Sequence, residues 1–305
     1  MTAGDDRTVK LFNPHKDDPS QSTGNRHEAL LIKNYTGVHG YQILDVVISR
    51  DNAKFATGGG DKSCFYWDVT TGRVIRRIQA HNHRINAVTM NEEGTVLLTA
   101  SYDRSLAIWD LRSNSRDAIQ VMTDATDSVT SVIATPSSIV SGSVDGKLRT
   151  YDLRAGQLRE DSVRDPITSV RLTNDSKCAL CTCLGNSARG IEGVVRLVSL
   201  SSGQVLQEYR GGHVHERFKL ESSMTNDDCQ VVVCSEDGSF VHYDMVKGGV
   251  VRRAQTKPPT HGRADLSLVG SKLSPALSSL SHHPSKPLLV TAAYDGDVKV
   301  WDVSQ

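Results

Sequence analysis

Six times in this chain an aspartate is followed, six positions later, by an aromatic residue that precedes Asp or Asn. The pairs are Asp6 with Phe12-Asn13, Asp61 with Trp67-Asp68, Asp103 with Trp109-Asp110, Asp145 with Tyr151-Asp152, Asp237 with Tyr243-Asp244 and Asp295 with Trp301-Asp302. A recurring frame constrains a fold more than composition does, because each copy must be a unit that buries its apolar face against the next. A seventh, degenerate unit fits at Val195-Arg196-Leu197-Val198-Ser199, with Val198 in the aromatic's place. The steps between units are then 55, 42, 42, 47, 45 and 58 residues.

Short runs of Val, Thr and Ser punctuated by Gly, with few helix-period stretches, make the units all-β. Four short strands in a period of roughly 40 to 45 residues predict a β-propeller of the WD40 type. Seven blades follow from the count, as one domain over 1–305, with a partial blade 1 at about 1–35 and blades 2–7 over about 36–305. Insertions are placed at 13–27, 185–193 and 256–272. In the unit over 36–78 the expected strands are Ile43–Ile48, Lys54–Thr57, Ser63–Trp67 and Val74–Ile78. The sixth unit is expected to open on Phe218–Ser222, and the outer strand of the third is placed at Ala118–Val121. The first unit is read as lacking its inner strands and the last its outer one. A further segment of roughly 30 to 40 residues would complete both. Such a chain either starts late relative to its natural protein or closes with exposed strand edges.

Lys plus Arg and Asp plus Glu balance at 35 each, which argues against a general nucleic-acid or membrane-surface binder. No sequence-specific nucleic-acid contact and no membrane association are expected. No apolar run reaches the roughly 18 to 20 residues that span a bilayer. Six unevenly spread cysteines fit reduced thiols better than a disulfide framework. Cytoplasmic and nuclear residence is the expectation, as a monomer within larger complexes.

His81, Thr99, Asp103 and Trp109 stand at offsets 0, 18, 22 and 28, which His39, Thr57, Asp61 and Trp67 repeat. Alone, Thr, His and Asp could act as nucleophile, base and orienting acid. A catalytic set is not copied twice at one spacing, whereas a blade-stabilising network is. These eight residues are therefore assigned as structural, Trp donating to Thr, Thr to His and His to Asp. Asp103→Ala is expected to strand His81 and cost about 1 to 3 kcal/mol. Elsewhere the network thins. The fourth unit has Ser141, Asp145 and Tyr151 but Thr123 for the histidine, and the last keeps Thr291, Asp295 and Trp301. The sixth offers His215 in register, or His213 if the loop differs in length.

Cys178-Ala179-Leu180-Cys181-Thr182-Cys183 has spacings that suggest zinc or redox chemistry. On a strand, however, Cys178 faces away from Cys181 and Cys183, and no second ligand pair is evident. Buried thiols are preferred, with no metal and no cofactor. Gly58-Gly59-Gly60 and Gly211-Gly212 lack the setting of phosphate loops and read as turn or strand-end glycines. Arg76-Arg77 and Arg252-Arg253 read as solvated outer edges, with an anionic partner as the alternative.

Function is then left to exposed surface. In a propeller the residues before each turn aspartate and before each first strand ring the channel mouth. Here they are Tyr41, Gln42, Arg84, Tyr102, Arg164, Arg217, Glu236 and Tyr294, and Tyr and Arg are types enriched at binding hot spots. No unrepeated polar cluster supports a hydrolase, so no catalytic residue is assigned.

The series Gly58-Gly59-Gly60-Asp61-Lys62, Asn91-Glu92-Glu93, Gly142-Ser143-Val144-Asp145-Gly146 leading to Tyr151-Asp152-Leu153-Arg154, and Cys234-Ser235-Glu236-Asp237-Gly238 closely resembles the mitogen-activated protein kinase organiser family of WD-repeat proteins. The similarity runs from about residue 4 over nearly the whole chain. It implies a non-enzymatic scaffold whose partners are kinase-cascade or spliceosomal components. The terminal blades and the 185–193 and 256–272 insertions depart from the family pattern. An alternative is a substrate receptor of a cullin-type ubiquitin ligase. Trp109-Asp110-Leu111-Arg112 and Tyr151-Asp152-Leu153-Arg154 are similar to the boxes such receptors present, with Arg112 and Arg154 as the adaptor contacts.

Overall fold

The structure, a computed structural model, describes residues 1–17, 29–186, 190, 192–256 and 276–303. Among them are seven antiparallel sheets, five of four strands and two of three, and no helix. The chain is an all-β, seven-bladed propeller of the WD40 class. Its contacts fall into two compact units, Met1–Val140 with Asp152–Gly156, and Ser141–Tyr151 with Gln157–Gln305.

Sheet 2 shows the plan: Ile43–Ile48, Lys54–Gly59, Ser63–Asp68 and Val74–Gln79, each strand paired with the next. Sheet 3 repeats it with Ile85–Met90, Val96–Ser101, Leu106–Asp110 and a short outer strand, Gln120–Met122. Sheet 4 comprises Val129–Ala134, Ser138–Ser143, Lys147–Asp152 and Gln157–Ser162. Sheet 5 comprises Ile167–Leu172, Cys178–Cys183, Val194–Ser199 and Val205–Tyr209. The degenerate unit thus forms a regular strand although its aromatic is gone. Val198 pairs with Ala179 and is itself buried.

Three boundaries differ from the sequence reading, and one is the outer strand of sheet 3, which is Gln120–Met122 rather than Ala118–Val121. Sheet 1 is Thr2–Ala3, Val9–Asp17 and Ala29–Tyr35, so its middle strand runs through Pro14 into residues expected to be loop. It does so by shifting register against Ala29–Tyr35 between Asn13 and Asp17. Sheet 6 opens on only Ser222–Met224, then Gln230–Cys234, Ser239–Asp244 and Val250–Gln255. Residues 218–221 are committed to other contacts: the Phe218 N–H to Glu236, Lys219 O to the Tyr294 hydroxyl, Leu220 O to the Thr168 hydroxyl and the Glu221 N–H to Ser278 O. Sheet 7 is Leu277–His282, Leu288–Ala293 and Val298–Asp302. The expected insertions at 13–27, 185–193 and 256–272 fall largely outside the described residues.

Within each unit the core is sliced between successive sheets. In the first unit, Ala56, Cys64, Tyr66 and Ile78 of sheet 2 pack on Ile85, Val88, Leu97 and Trp109 of sheet 3. The other face of sheet 2 sends Phe55, Phe65 and Trp67 onto Val9 and Tyr35 of sheet 1. In the second unit, Leu180, Val195 and Tyr209 meet Val231, Val241 and Tyr243. A strand buried on both faces cannot show a clean polar alternation, and Ser63–Trp67 is buried at every position. Fully burying one such large apolar side chain contributes about 1.5 to 3 kcal/mol.

The first strands of sheets 2, 3, 5 and 7 each shift register after their first residue, between Ile43/Asp45, Ile85/Ala87, Ile167/Ser169 and Leu277/Ser279. A bulge re-aims the extra side chain. At Asn86 the amide donates to Ser128 Oγ and Val129 O of the following strand, both at 2.8 Å. Gly58, read as a turn or strand-end glycine, and Gly142 both lie inside strands. A Cβ on Gly58 would come within 2.7 Å of Ile85 and Val88, and one on Gly142 within 2.7 Å of Ile167 and Val170. The absent side chain is what lets the next sheet approach.

Candidate partner-binding surface

The repeated polar network closes on itself in sheets 2 and 3. Trp67 Nε1 donates to Thr57 Oγ1 at 3.0 Å, Thr57 Oγ1 lies 2.8 Å from His39 Nε2, and His39 Nδ1 lies 2.5 Å from Asp61 Oδ2. In sheet 3, Trp109 Nε1 donates to Thr99 Oγ1 at 3.1 Å, which lies 2.8 Å from His81 Nε2. His81 Nδ1 faces Ser105 Oγ at 2.9 Å as well as Asp103 Oδ2 at 3.2 Å. Ser105 Oγ in turn donates to Asp103 Oδ1 at 2.5 Å. The expectation that Asp103→Ala strands His81 is therefore modified: a serine two residues on shares the contact at Nδ1.

Burial lowers the pKa of both imidazoles, against the opposing pull of Asp61 and Asp103. For Asp103 burial acts to raise the carboxyl, but hydrogen bonds from Ser105, the charge at His81 and the Asn82 N–H outweigh it and hold it low. Both histidines are held at both ring nitrogens. Thr57 and Thr99 have no exposed surface, so no substrate carbonyl can reach either hydroxyl.

Where the histidine is missing, a cation replaces it. Arg149, almost wholly buried, donates Nη2 to Asp145 Oδ2 at 2.8 Å and Nε to Glu160 Oε1 at 2.7 Å. Sheet 1 has the same four-residue step at its surface, Lys10 Nζ to Asp6 at 2.7 Å. In sheet 5, Arg196 pairs with Asp165 at 2.6 Å and Glu208 at 2.7 Å. Arg149 and Arg196 both stand two residues before the repeat's aromatic position, a basic residue inside an apolar strand that sequence reasoning passed over. In sheet 7, Trp301 Nε1 still donates to Thr291 Oγ1 at 2.9 Å. In sheet 6 the loop histidine is His213, whose Nδ1 meets Tyr243 Oη at 2.8 Å, whereas His215 Nε2 donates to Phe218 O at 3.0 Å.

The long basic side chains of the outer strands are also not all solvated. Arg76 donates to Asp110 O and Ser113 O at 2.7 Å, and to Ser115 O, clamping the turn of sheet 3. In the same way Lys33 reaches Val69 O and Thr70 O, and Gln207 reaches Val246 O at 2.9 Å. Arg159 reaches Leu200 O at 2.9 Å. Arg77 and Arg253 instead turn back to Ser63 and Ser239 of their own sheets.

The residues proposed as a binding face occupy one repeated position. A backbone bond joins the residue before the turn to the start of the first strand, as in Gly60 N to Gln42 O, Tyr102 N to Arg84 O and Tyr294 N to Ala276 O. In the first unit Tyr41 and Tyr102 are 62% and 49% exposed and Arg84 is exposed, with Gln42 half-buried. The Arg84 guanidinium lies 4.8 Å from the Tyr102 ring centroid, and the His83 ring meets the same tyrosine edge-on. A cation held over an exposed aromatic is a preassembled contact surface. In the second unit Arg164 and Arg217 are exposed, and Tyr294 packs on Phe218.

Glu236 is not a surface contact. It is buried, and its Oε1 accepts the backbone N–H groups of Glu216, Arg217 and Phe218 at 2.7, 2.6 and 3.0 Å. That capture explains why the sheet 6 strand begins later than its apolar residues suggest.

Arg112 is exposed but folded onto Asp110 Oδ1 at 3.2 Å, and Arg154 is exposed with its own N–H on Asp152. The six cysteines are free, and burial pushes the Cys64 and Cys183 thiols up to about 12. Among the described residues no three His, Cys, Asp or Glu side chains are placed to hold a metal ion. No described helix is long and apolar enough to cross a membrane.

Seven antiparallel sheets, two of them stitched by complete Trp–Thr–His–Asp sets, define a WD-repeat protein. The family model for the nucleolar protein 10-like N-terminal domain matches residues 42–212, and that for the WD domain, G-beta repeat, matches 266–302. The WD repeat domain-containing protein 83 homolog of Dictyostelium discoideum is 30% identical, covering 100% of this chain and 91% of its own. WD repeat domain-containing protein 83 of Rattus norvegicus and of Homo sapiens are each 36% identical over 99% of this chain and 84% of theirs. The chain belongs to the WD repeat domain-containing protein 83 family. WD-repeat propellers of this kind mediate protein–protein contacts, and the family lends no support to the ligase-receptor alternative.

Proposed function

We propose that this protein is a non-catalytic scaffold that assembles other proteins, with kinase-cascade or spliceosomal components as its partners and the cytoplasm and nucleus as its places of work. One observation carries the reading. Each repeated Thr–His–Asp set is consumed internally, while the positions before the turns and before the first strands present Tyr102, Tyr41 and Arg84 to solvent. Relatives that cover the whole chain support placing it among scaffolding propellers. The test is affinity purification from cells of wild type and an Arg84→Ala/Tyr102→Ala variant. Loss of specific partners by the variant, at equal expression and folding, is the expected result. An unchanged partner set would refute this face as the contact, and recovery of no partner protein by either form would refute the scaffold.

A further inference from the structure

The first unit has a second feature that the pre-turn surface does not use. A cleft of about 1000 Å³ runs beside the outer strand Val74–Gln79 of sheet 2, with Asn114, Ser115, Arg116 and Val121 of sheet 3 in its far wall. That strand ends the sheet order, so its outer edge has no strand partner among the described residues. An unpaired edge is a template for another extended chain. The cleft is open because the outer strand of sheet 3 has only 3 residues, against 6 in sheet 2. The stretch before it is loop, tied down by Arg76 through the carbonyls of Asp110, Ser113 and Ser115.

The walls specify a chemistry. Ile75 and Val121 are 51% and 54% exposed, and Arg77 and Arg116 are exposed beside them. Neither arginine has a carboxylate partner among the described residues. Arg77 makes a 3.4 Å contact with Ser63 Oγ and lies over the Phe65 ring. The acid in the wall, Asp103, is already occupied by Ser105, His81 and the Asn82 N–H. Ile75, Arg77 and Gln79 alternate along the strand with less exposed residues, a period-two surface that only an extended partner can match residue for residue.

We infer that this cleft docks an extended acidic segment of a partner protein, which adds as a further strand along Val74–Gln79. Its carboxylates meet Arg77 and Arg116 and its apolar side chains meet Ile75 and Val121. The inference rests on the scaffold reading and names one partner chemistry for it. Main-chain pairing supplies affinity, and the alternation of charge and apolar surface supplies selectivity.

The experiment uses the whole chain and a fluorescent Val-Val-Glu-Glu-Val-Val peptide, matched to the strand at 6 residues so that each of its faces carries both Val and Glu. Fluorescence anisotropy should show binding that weakens about tenfold in Arg77→Glu/Arg116→Glu, the effect of reversing two exposed charge contacts. A Lys/Val peptide and a backbone N-methylated Glu/Val peptide should both fail to bind. Thermal melts check the variant's fold, and Arg77→Gln/Arg116→Gln replaces it if the charge reversal unfolds the chain. Equal binding by wild type and variant, or by the N-methylated peptide, would overturn strand addition. Single-stranded homopolymeric RNA binding as tightly and displacing the peptide would make the cleft a polyanion site instead. In cells, partners that survive the cleft variant but are lost with Arg84→Ala/Tyr102→Ala would sink the cleft and leave the scaffold standing.

Discussion

Arg149→Met is the sharpest test of how the blades without a histidine are held. The side chain is 1% exposed and its two acceptors differ, Asp145 at 7% and Glu160 at 33%. Burial works to lower the arginine's pKa, but the carboxylates of Asp145 and Glu160 more than offset it and hold the charge on. Removing the cation takes the guanidinium away from buried Asp145, which keeps the Lys147 N–H at 3.0 Å, whereas the more exposed Glu160 keeps water and the Lys147 ammonium at 2.6 Å. Breaking one partner of a buried pair costs about 3 to 5 kcal/mol, and most of that here falls on Asp145. The matching change at the surface, Lys10→Met, removes a pair exposed at 36% and 50% and should cost no more than about 1 kcal/mol. Native-state hydrogen exchange of the Lys147–Asp152 amides reads the local opening energy without requiring global two-state unfolding. Adding Asp145→Asn and Glu160→Gln to Arg149→Met should restore much of the protection, because the charges taken out of water are then gone and the Lys147 left over is partly exposed to solvent. If Arg149→Met costs as little as Lys10→Met, or the triple change is worse than the single, the buried-charge argument is wrong.

Three further outcomes follow from the geometry. Asp103→Ala should cost only about 1 kcal/mol, because Ser105 still meets His81, while Asp103→Ala/Ser105→Ala should cost more than the sum of the singles in urea unfolding; additivity would count against the shared contact. His213 titrates near 4 when folded, through burial first and then the neighbouring His215, against 6.5 ordinarily. The unfolded chain therefore takes up the proton first. Stability is full above pH 6.5 and falls toward pH 4, by on the order of 3 kcal/mol, and a His213→Gln variant with the same acid slope would refute the assignment. Arg76→Ala frees the carbonyls of Asp110, Ser113 and Ser115, so limited proteolysis should cut the 111–117 loop several-fold faster than in wild type; unchanged cutting would show that the clamp is not needed.

The repeat, the seven-fold count and the Trp–Thr–His–Asp offsets were legible in the chain because they depend on spacing, and spacing is a property of sequence. The same logic carried the reading of Val195–Ser199 as a strand, since its neighbours supplied the register. Local patterning could not reveal which partner a side chain reaches across a sheet boundary. Arg76 and Arg77 are adjacent and identical in type, yet one clamps the next sheet and the other returns to Ser63, because successive strand residues face opposite sides. Glu236 looked like surface until three backbone N–H groups were seen to converge on it, and no spacing rule announces that convergence. Gly58 needed the position of Ile85 and Val88 to explain it. Sequence alone thus determined the number and kind of the blades. Tertiary structure decided how each blade satisfies its turn aspartate, which basic residues are spent internally, and which are left for a partner.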